Sequence, residues 1–392
     1  MSKTLVNIVT DDNPIPAYLF IKEKYEPGDR LMFISAKSTE DDLQSLSRLF
    51  RVPEGDIESI LLRHNDDEIT YEKICRIVNA RLMQDRDKNV TYFVNLAGGT
   101  RYMALAVQQV FEKFRPTYFY VHVKDNVIVQ TIYDDSINDN DDRFEPIRHR
   151  MSIAEYLEAH GIRHNLDRHP SFHSPIRSRE EVTYICQLFA GQKLGKLHET
   201  LDTLRKDYRN RSSLDIREAE TTGVNGAAVP ALSQCLKKMH FTPETEGALS
   251  QRELEYLTGG WFEEYTYYLV KENLQTDDLA LNVVIARDGM DIHRNNNELD
   301  VVFIMNNKLF VIECKTGVQG LGTFNGIVYK LCAIREALLG MSCHSYIFSL
   351  RDDPSGNWER VARNMGSTFV DRATITSPPD MDWIWIGMKD KA

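Results

Sequence analysis

A chain of 392 residues exceeds what one hydrophobic core normally organises, so two or three domains are expected. Apolar content of 42% beside 27% charged residues excludes a disordered chain, and no apolar run is long enough to cross a bilayer. A net charge of −11 excludes a basic nucleic-acid coat, so any nucleic acid handled here is visited rather than held.

The opening "MSKTLVNIVTDD" lacks the long apolar core of a signal peptide. The six cysteines are scattered without paired metal spacing, which fits reduced thiols and a cytoplasmic location. Strand-like runs follow at 4–10, 30–36, 57–62, 90–97, 117–123 and 127–133. Between the first five lie polar stretches with apolar residues at helical intervals, such as "EITYEKICRIVNARLM". Short, nearly all-apolar strands separated by helices predict a parallel sheet covered on both faces. The last two strands, joined by "KDN", predict an antiparallel edge hairpin. Residues 1–148 therefore form a Rossmann-like α/β domain.

Three strand ends in this domain carry polar groups. The first is followed by "VTDDNP", the second by "SAKST" with Lys37, and the fourth by "NLAGGTR". Gly98 and Gly99 let backbone approach a ligand, Thr100 can cap the next helix, and Arg101 can face a phosphate. In a doubly wound sheet such ends converge on one crevice. The dinucleotide fingerprint is absent after the first strand, which speaks against NAD or FAD.

The acidic "DDSINDNDD" at 134–142 reads as a solvated linker. Residues 149–249 read as a mainly helical linker or transmitter. Their histidines His160, His164, His169 and His173 read as packing or solvated groups, because Gly161 and Pro170 interrupt any single rigid site. From 250 to 392 the pattern becomes a helix, a strand, the hairpin "NELDVVFIMNNKLFVIECKTG", another helix and further strands.

That hairpin carries unusual charge. Asn306-Asn307 makes a good two-residue turn because Asn tolerates positive φ. Met305 then pairs with Lys308, Asp300 lies opposite Glu313, and Glu298 lies opposite Lys315, all on one face. Opposed like charges destabilise a sheet, and a divalent cation between the carboxylates would compensate. Hard oxygen ligands suit Mg²⁺ or Mn²⁺. Lys315 can stabilise charge growing on a phosphate.

The spacing of Asp300, Glu313 and Lys315 resembles the PD-(D/E)xK nuclease superfamily, and the stretch from "GGWFEEY" to "ECKTG" resembles its helix–strand–hairpin core. The family's Pro before the Asp is Leu299 here. The resemblance implies a restriction-endonuclease-like α/β fold with catalytic Asp300, Glu313, Lys315 and Glu264. It implies metal held by Asp300, Glu313 and the Cys314 backbone carbonyl. Glu264 matches the acidic residue of the first helix, although the adjacent Glu263 can equally face inward. Gln319 and Lys330 stand where substrate or metal contacts occur.

The N-terminal domain resembles the CRISPR-associated Rossmann fold (CARF) family through "IVTDDNP", "ISAKST" and "NLAGGTR". That resemblance implies a homodimer binding a cyclic oligoadenylate with Thr10, Asp12, Asn13, Ser35, Lys37, Ser38, Thr39, Gly98, Gly99, Thr100 and Arg101. A CARF domain followed by such a nuclease resembles the ancillary nucleases of type III CRISPR defence. These are metal-dependent, activated by cyclic tetra-adenylate, and cut DNA and, in some members, RNA. Two rival readings stay open: a CARF transcriptional regulator that binds DNA without cutting it, and a restriction or repair nuclease that ignores the ring.

Overall fold

The computed structural model describes the chain except residues 1, 10–13, 36–48, 63–69, 86–89, 132–142, 192–212, 222–231, 288–296, 318–319, 336–342 and 354. Strands β1 (Lys3–Val9), β2 (Arg30–Ser35), β3 (Ile57–Leu61), β4 (Thr91–Asn95) and β5 (Thr117–His122) run parallel. β6 (Val127–Thr131) and β7 (Arg143–Pro146) continue the sheet antiparallel, giving the order β3-β2-β1-β4-β5-β6-β7. β7 follows the acidic stretch and is too short and polar for periodicity to reveal.

Alternation along the strands sorts side chains to two cores. Leu5, Leu31 and Phe33 pack with the helix Ile15–Lys24 on one face. Val6, Ile8, Met32 and Ile34 pack with Tyr71–Leu82 and Arg101–Phe111 on the other. This is the doubly wound arrangement, and it brings the ends of β1, β2 and β4 to one edge.

The middle segment contains the helices Ile153–Ala159, Arg179–Ala190, Ile216–Thr221 and Leu232–Lys238. It also contains β8 (Ile162–His164), β9 (Ser213–Asp215) and β10 (Ala248–Ser250). β8 is the edge strand of the second sheet, antiparallel to β11 (Asp278–Arg287). Ile185, Leu188, Leu214, Leu232 and Leu249 share a core with Trp261 and Phe262. The segment is thus built onto the C-terminal domain instead of standing apart as a linker. Among its histidines, His173 is buried between the carbonyls of Leu281 and Asn165, and His160 stacks on Tyr156.

The second sheet has the order β15-β14-β13-β12-β11-β8. β12 (Asn297–Met305) and β13 (Lys308–Lys315) are its central hairpin, flanked by β14 (Cys343–Ser349) and β15 (Ser367–Val370). Asn306 and Asn307 adopt φ of 50° and 62°, as a tight turn between right-twisted strands requires. No described helix is long and apolar enough to cross a membrane.

Candidate active site

Hairpin pairing runs from Met305 opposite Lys308 to Val301 opposite Ile312, the register read from the sequence. Val302, Ile304, Leu309 and Val311 face the core that includes Phe324 and Val328 of the helix Gly320–Ile334. Val301, Phe303, Phe310 and Ile312 face Trp261 and Phe262 on the other side. By the same alternation Asp300, Glu313 and Lys315 share the first of these faces.

Beyond Val301 the side chains do the bonding. Asp300 Oδ2 accepts the Cys314 backbone N–H at 2.7 Å. The Lys315 ammonium lies 2.7 Å from Glu313 Oε1 and 3.3 Å from Asp300 Oδ2, and donates to the Cys314 carbonyl at 3.0 Å. Among the described residues Lys315 thus pairs with Glu313 and Asp300 rather than with Glu298, which the register sets opposite it. The reason is burial. Glu298 is exposed, whereas Asp300 and Glu313 are buried and need a counter-charge more.

Burial, followed by the charge of Asp300, pushes the Glu313 carboxyl above its ordinary range, with Lys315 opposing. Burial acts to lower Lys315, but Asp300 and Glu313 outweigh it and hold the ammonium above its usual value. Cys314 is buried and its thiol is pushed well up, so it is not a nucleophile; its Sγ rests 3.4 Å from Thr266 Oγ1.

The first-helix carboxylate requires a correction. A π-helical turn, Tyr256–Gly260, precedes the helix Trp261–Asn273. Glu264 is buried away from the hairpin charges, accepting the Ile176 N–H at 2.7 Å and the Tyr256 hydroxyl at 2.9 Å. It anchors the middle segment. Glu263 instead feels Asp300, Lys315, Glu298 and Glu313, and burial together with Asp300 pushes it well above the ordinary carboxylate range. Of the two, Glu263 is thus the carboxylate that interacts with the charge of Asp300.

The oxygens of Asp300, Glu313 and the Cys314 carbonyl are the set expected to hold a metal. Here all three meet the Lys315 ammonium, a monovalent stand-in for a cation at the same place. Among the described residues no group of three or more His, Cys, Asp or Glu side chains is placed to hold a metal ion. The cradle of two carboxylates and a carbonyl nevertheless fits a hard divalent ion in chemistry. Lys330 is exposed on the helix over this face, close enough for its charge to oppose the rise at Glu313. Gln319 lies outside the described residues.

In the first domain Thr10, Asp12, Asn13, Lys37, Ser38 and Thr39 lie outside the described residues. Ser35, Gly98, Gly99, Thr100 and Arg101 sit at the carboxyl ends of β2 and β4. Thr100 caps the helix Arg101–Phe111 by accepting the Met103 N–H at 3.3 Å, and Arg101 is exposed there. Gly98 has a φ of 99°, which favours glycine. A Cβ on Gly99 would lie 2.2 Å from Ile8 Cγ2, so this glycine exists for packing against β1. Sequence reading missed Asn95, the buried residue before the loop. Its Oδ1 accepts the Ala97 N–H, and its Nδ2 donates to Asn7 Oδ1 and Pro16 O, fixing the loop to β1 and the first helix. An Asn ending an apolar strand was the available signal.

Residues 4–156 match the family model of the Card1 CARF domain, and residues 250–368 match that of the Card1-like endonuclease domain. The chain therefore belongs to the Card1-like CARF nucleases, with a ligand-sensing domain followed by an endonuclease domain. Two solved structures share the whole architecture. The Vibrio cholerae protein VC1899 aligns with a TM-score of 0.73 at 19% identity, over 100% of this chain and 99% of that one. Can2 from Sulfobacillus thermosulfidooxidans, solved in complex with cyclic tetra-adenylate, aligns with a TM-score of 0.69 at 20% identity, over 98% and 99%. At these identities the likeness is one of fold. No curated protein matches the chain.

Proposed function

We propose that this protein is a metal-dependent nuclease of type III CRISPR defence, switched on by cyclic tetra-adenylate bound between two copies of its CARF domain. The observation that carries the reading is the Asp300–Glu313–Lys315 cluster at the end of a buried hairpin, in a chain that also bears a CARF domain. A ring ligand suits a two-fold dimer, because each copy presents the same strand ends to half of it. Tyr102 and Leu105, 68% and 58% exposed on the helix after the Gly-Gly-Thr loop, support a surface that a second copy covers.

At the nuclease site Asp300, Glu313 and the Cys314 carbonyl would hold Mg²⁺ or Mn²⁺, with Glu263 beside them. The ion would supply Lewis-acid activation of the attacking water and of the phosphate. Lys315, held between the two carboxylates in the metal-free site, would be displaced by the ion and turn its positive charge toward the phosphate oxygens. The substrate is DNA, with RNA as a second candidate. Ring binding activates only to the extent that it favours the cutting arrangement over the resting one.

The test incubates purified protein with Mg²⁺ or Mn²⁺ and plasmid, single-stranded DNA or RNA, with and without cyclic tetra-adenylate. Ring-dependent cutting is expected. Tight sequence-specific binding without cutting would establish the regulator reading, and cutting indifferent to the ring would establish the restriction or repair reading.

A further inference from the structure

The turn of the catalytic hairpin is not solvated, as a two-Asn turn would ordinarily be. Asn307 is 0% exposed, and its side chain bonds to Asn126 of the sensor and to the backbone of His149 and Met151, which fall within residues 4–156 that match the sensor's family model. Its Nδ2 donates to Asn126 Oδ1 at 2.8 Å and to the His149 carbonyl at 3.0 Å, and its Oδ1 accepts the Met151 N–H at 2.9 Å. The neighbouring Lys308 ammonium donates to the Lys124 carbonyl at 2.9 Å and to the carbonyls of Lys391 and Ala392 at 2.9 and 2.6 Å. The Asn306 N–H is taken by Asp277, 3.6 Å from Arg150.

We propose that this turn is the contact through which the sensor domain sets the nuclease site, with Asn307 and Lys308 as its positioning residues. The inference rests on the ring-activated reading given above. Three observations lead to it. Lys124 and Asn126 belong to the β5–β6 turn; because β5 is parallel to β4, that turn lies at the same end of the sheet as Gly98 to Arg101. Asn126 and the crevice are two strands apart, about 10 Å across the sheet. From the turn, β12 and β13 run as central strands buried from Leu299 to Met305 and from Lys308 to Cys314, and Glu313 is five residues beyond Lys308, about 17 Å away. Finally, one continuous core joins Phe119, Val121, Ile128 and Ile147 of the sensor to Val302, Ile304, Leu309 and Val311 of the hairpin. A stiff rod thus has one end in the sensor and the other in the charged cluster. The expected transmitter was the helical middle; the shorter connection is the hairpin itself.

Asn307→Gly keeps the turn, since glycine accepts its positive φ, and removes all three side-chain contacts. Asn126→Gly keeps the other turn, Asn126 having a φ of 55°, and removes from the sensor side only the Asn126–Asn307 contact, together with the Asn126 bond to the Ile147 carbonyl. Ring affinity is measured by calorimetry, and cutting with and without cyclic tetra-adenylate. For Asn307→Gly, ring stimulation of kcat should fall about tenfold, with ring affinity, substrate KM and unstimulated cutting within about twofold of wild type. In the double variant the two losses should be less than additive, because both changes remove the Asn126–Asn307 contact. Full stimulation in Asn307→Gly, or an equal fall of stimulated and unstimulated rates, would overturn the proposal. Should Asn307→Gly fail to fold, Lys308→Met takes the same measurements with the same criteria. A wild-type protein indifferent to the ring would sink the functional reading and this inference together. A responsive wild type beside a fully responsive Asn307→Gly would sink only the inference.

Discussion

The Lys315 ammonium sits 2.7 Å from Glu313 Oε1, inside the group of oxygens that would hold a divalent ion. Two positive charges cannot share that position, so Lys315 and the metal compete for Glu313, Asp300 and the Cys314 carbonyl. Lys315 is both the counter-ion of the metal-free site and the charge available to a phosphate once displaced.

Competition makes a prediction that opposes the usual effect of losing a catalytic side chain. Lys315→Gln should bind Mn²⁺ several-fold more tightly at pH 8, while cutting falls by about a hundredfold or more. Calorimetry without substrate gives the affinity. Unchanged or weaker binding would mean that Lys315 does not occupy the metal position.

Glu263 and Glu264 should separate cleanly. Glu263→Gln is expected to lower cutting and Mn²⁺ affinity about tenfold with little change in melting temperature. Glu264→Gln should leave Mn²⁺ affinity within a few-fold but destabilise by about 1–3 kcal/mol, because buried N–H and O–H donors lose a charged acceptor. Thermal melts beside metal titrations decide it. The reverse pattern would restore Glu264 to the site.

Gly99 should tolerate no side chain while Ile8 stands opposite. Gly99→Ala is predicted to cost about 1–3 kcal/mol and to weaken ring binding, since the 2.2 Å approach forces β1 and the loop apart. In the Ile8→Ala background the same change should cost much less. Additive losses would show that the close approach is not the cause.

Stability should also carry an acid signature from Glu155. Burial acts to raise this carboxyl, but the Tyr18 hydroxyl at 2.7 Å, the Ser152 N–H and nearby cations hold it down at about 2. A depressed carboxylate stabilises above its unfolded value of about 4.3, and that contribution is lost as pH falls toward 2. Glu155→Gln should therefore lower the melting temperature by about 2–4 °C at pH 7, after allowance for partial exposure, and make little difference near pH 2.5. Melts across pH check it; a difference independent of pH would contradict the assignment.

Much of this was legible in the chain. The strands of the first domain, the hairpin register and the three charges follow from alternation and from an Asn-Asn turn, both local signals. What was not legible depends on tertiary placement. The π-helical turn at Tyr256–Gly260 resets the phase of the next helix, and adjacent residues point about 100° apart, so Glu263 and Glu264 could not be ranked. β8 has three residues, and its partner β11 lies more than a hundred residues away. The burial of Asn307 has no trace in composition, because a turn residue looks solvated until another domain covers it.

The central claim meets its most direct test in plasmid cleavage with Mn²⁺ while cyclic tetra-adenylate is titrated against a fixed protein concentration. Stimulation of about a hundredfold is expected, saturating at one ring per two chains, abolished in Glu313→Gln and shifted to higher ring concentration in Arg101→Glu. Cleavage at the same rate without the ring, or a Glu313→Gln variant that cuts like wild type, would contradict it.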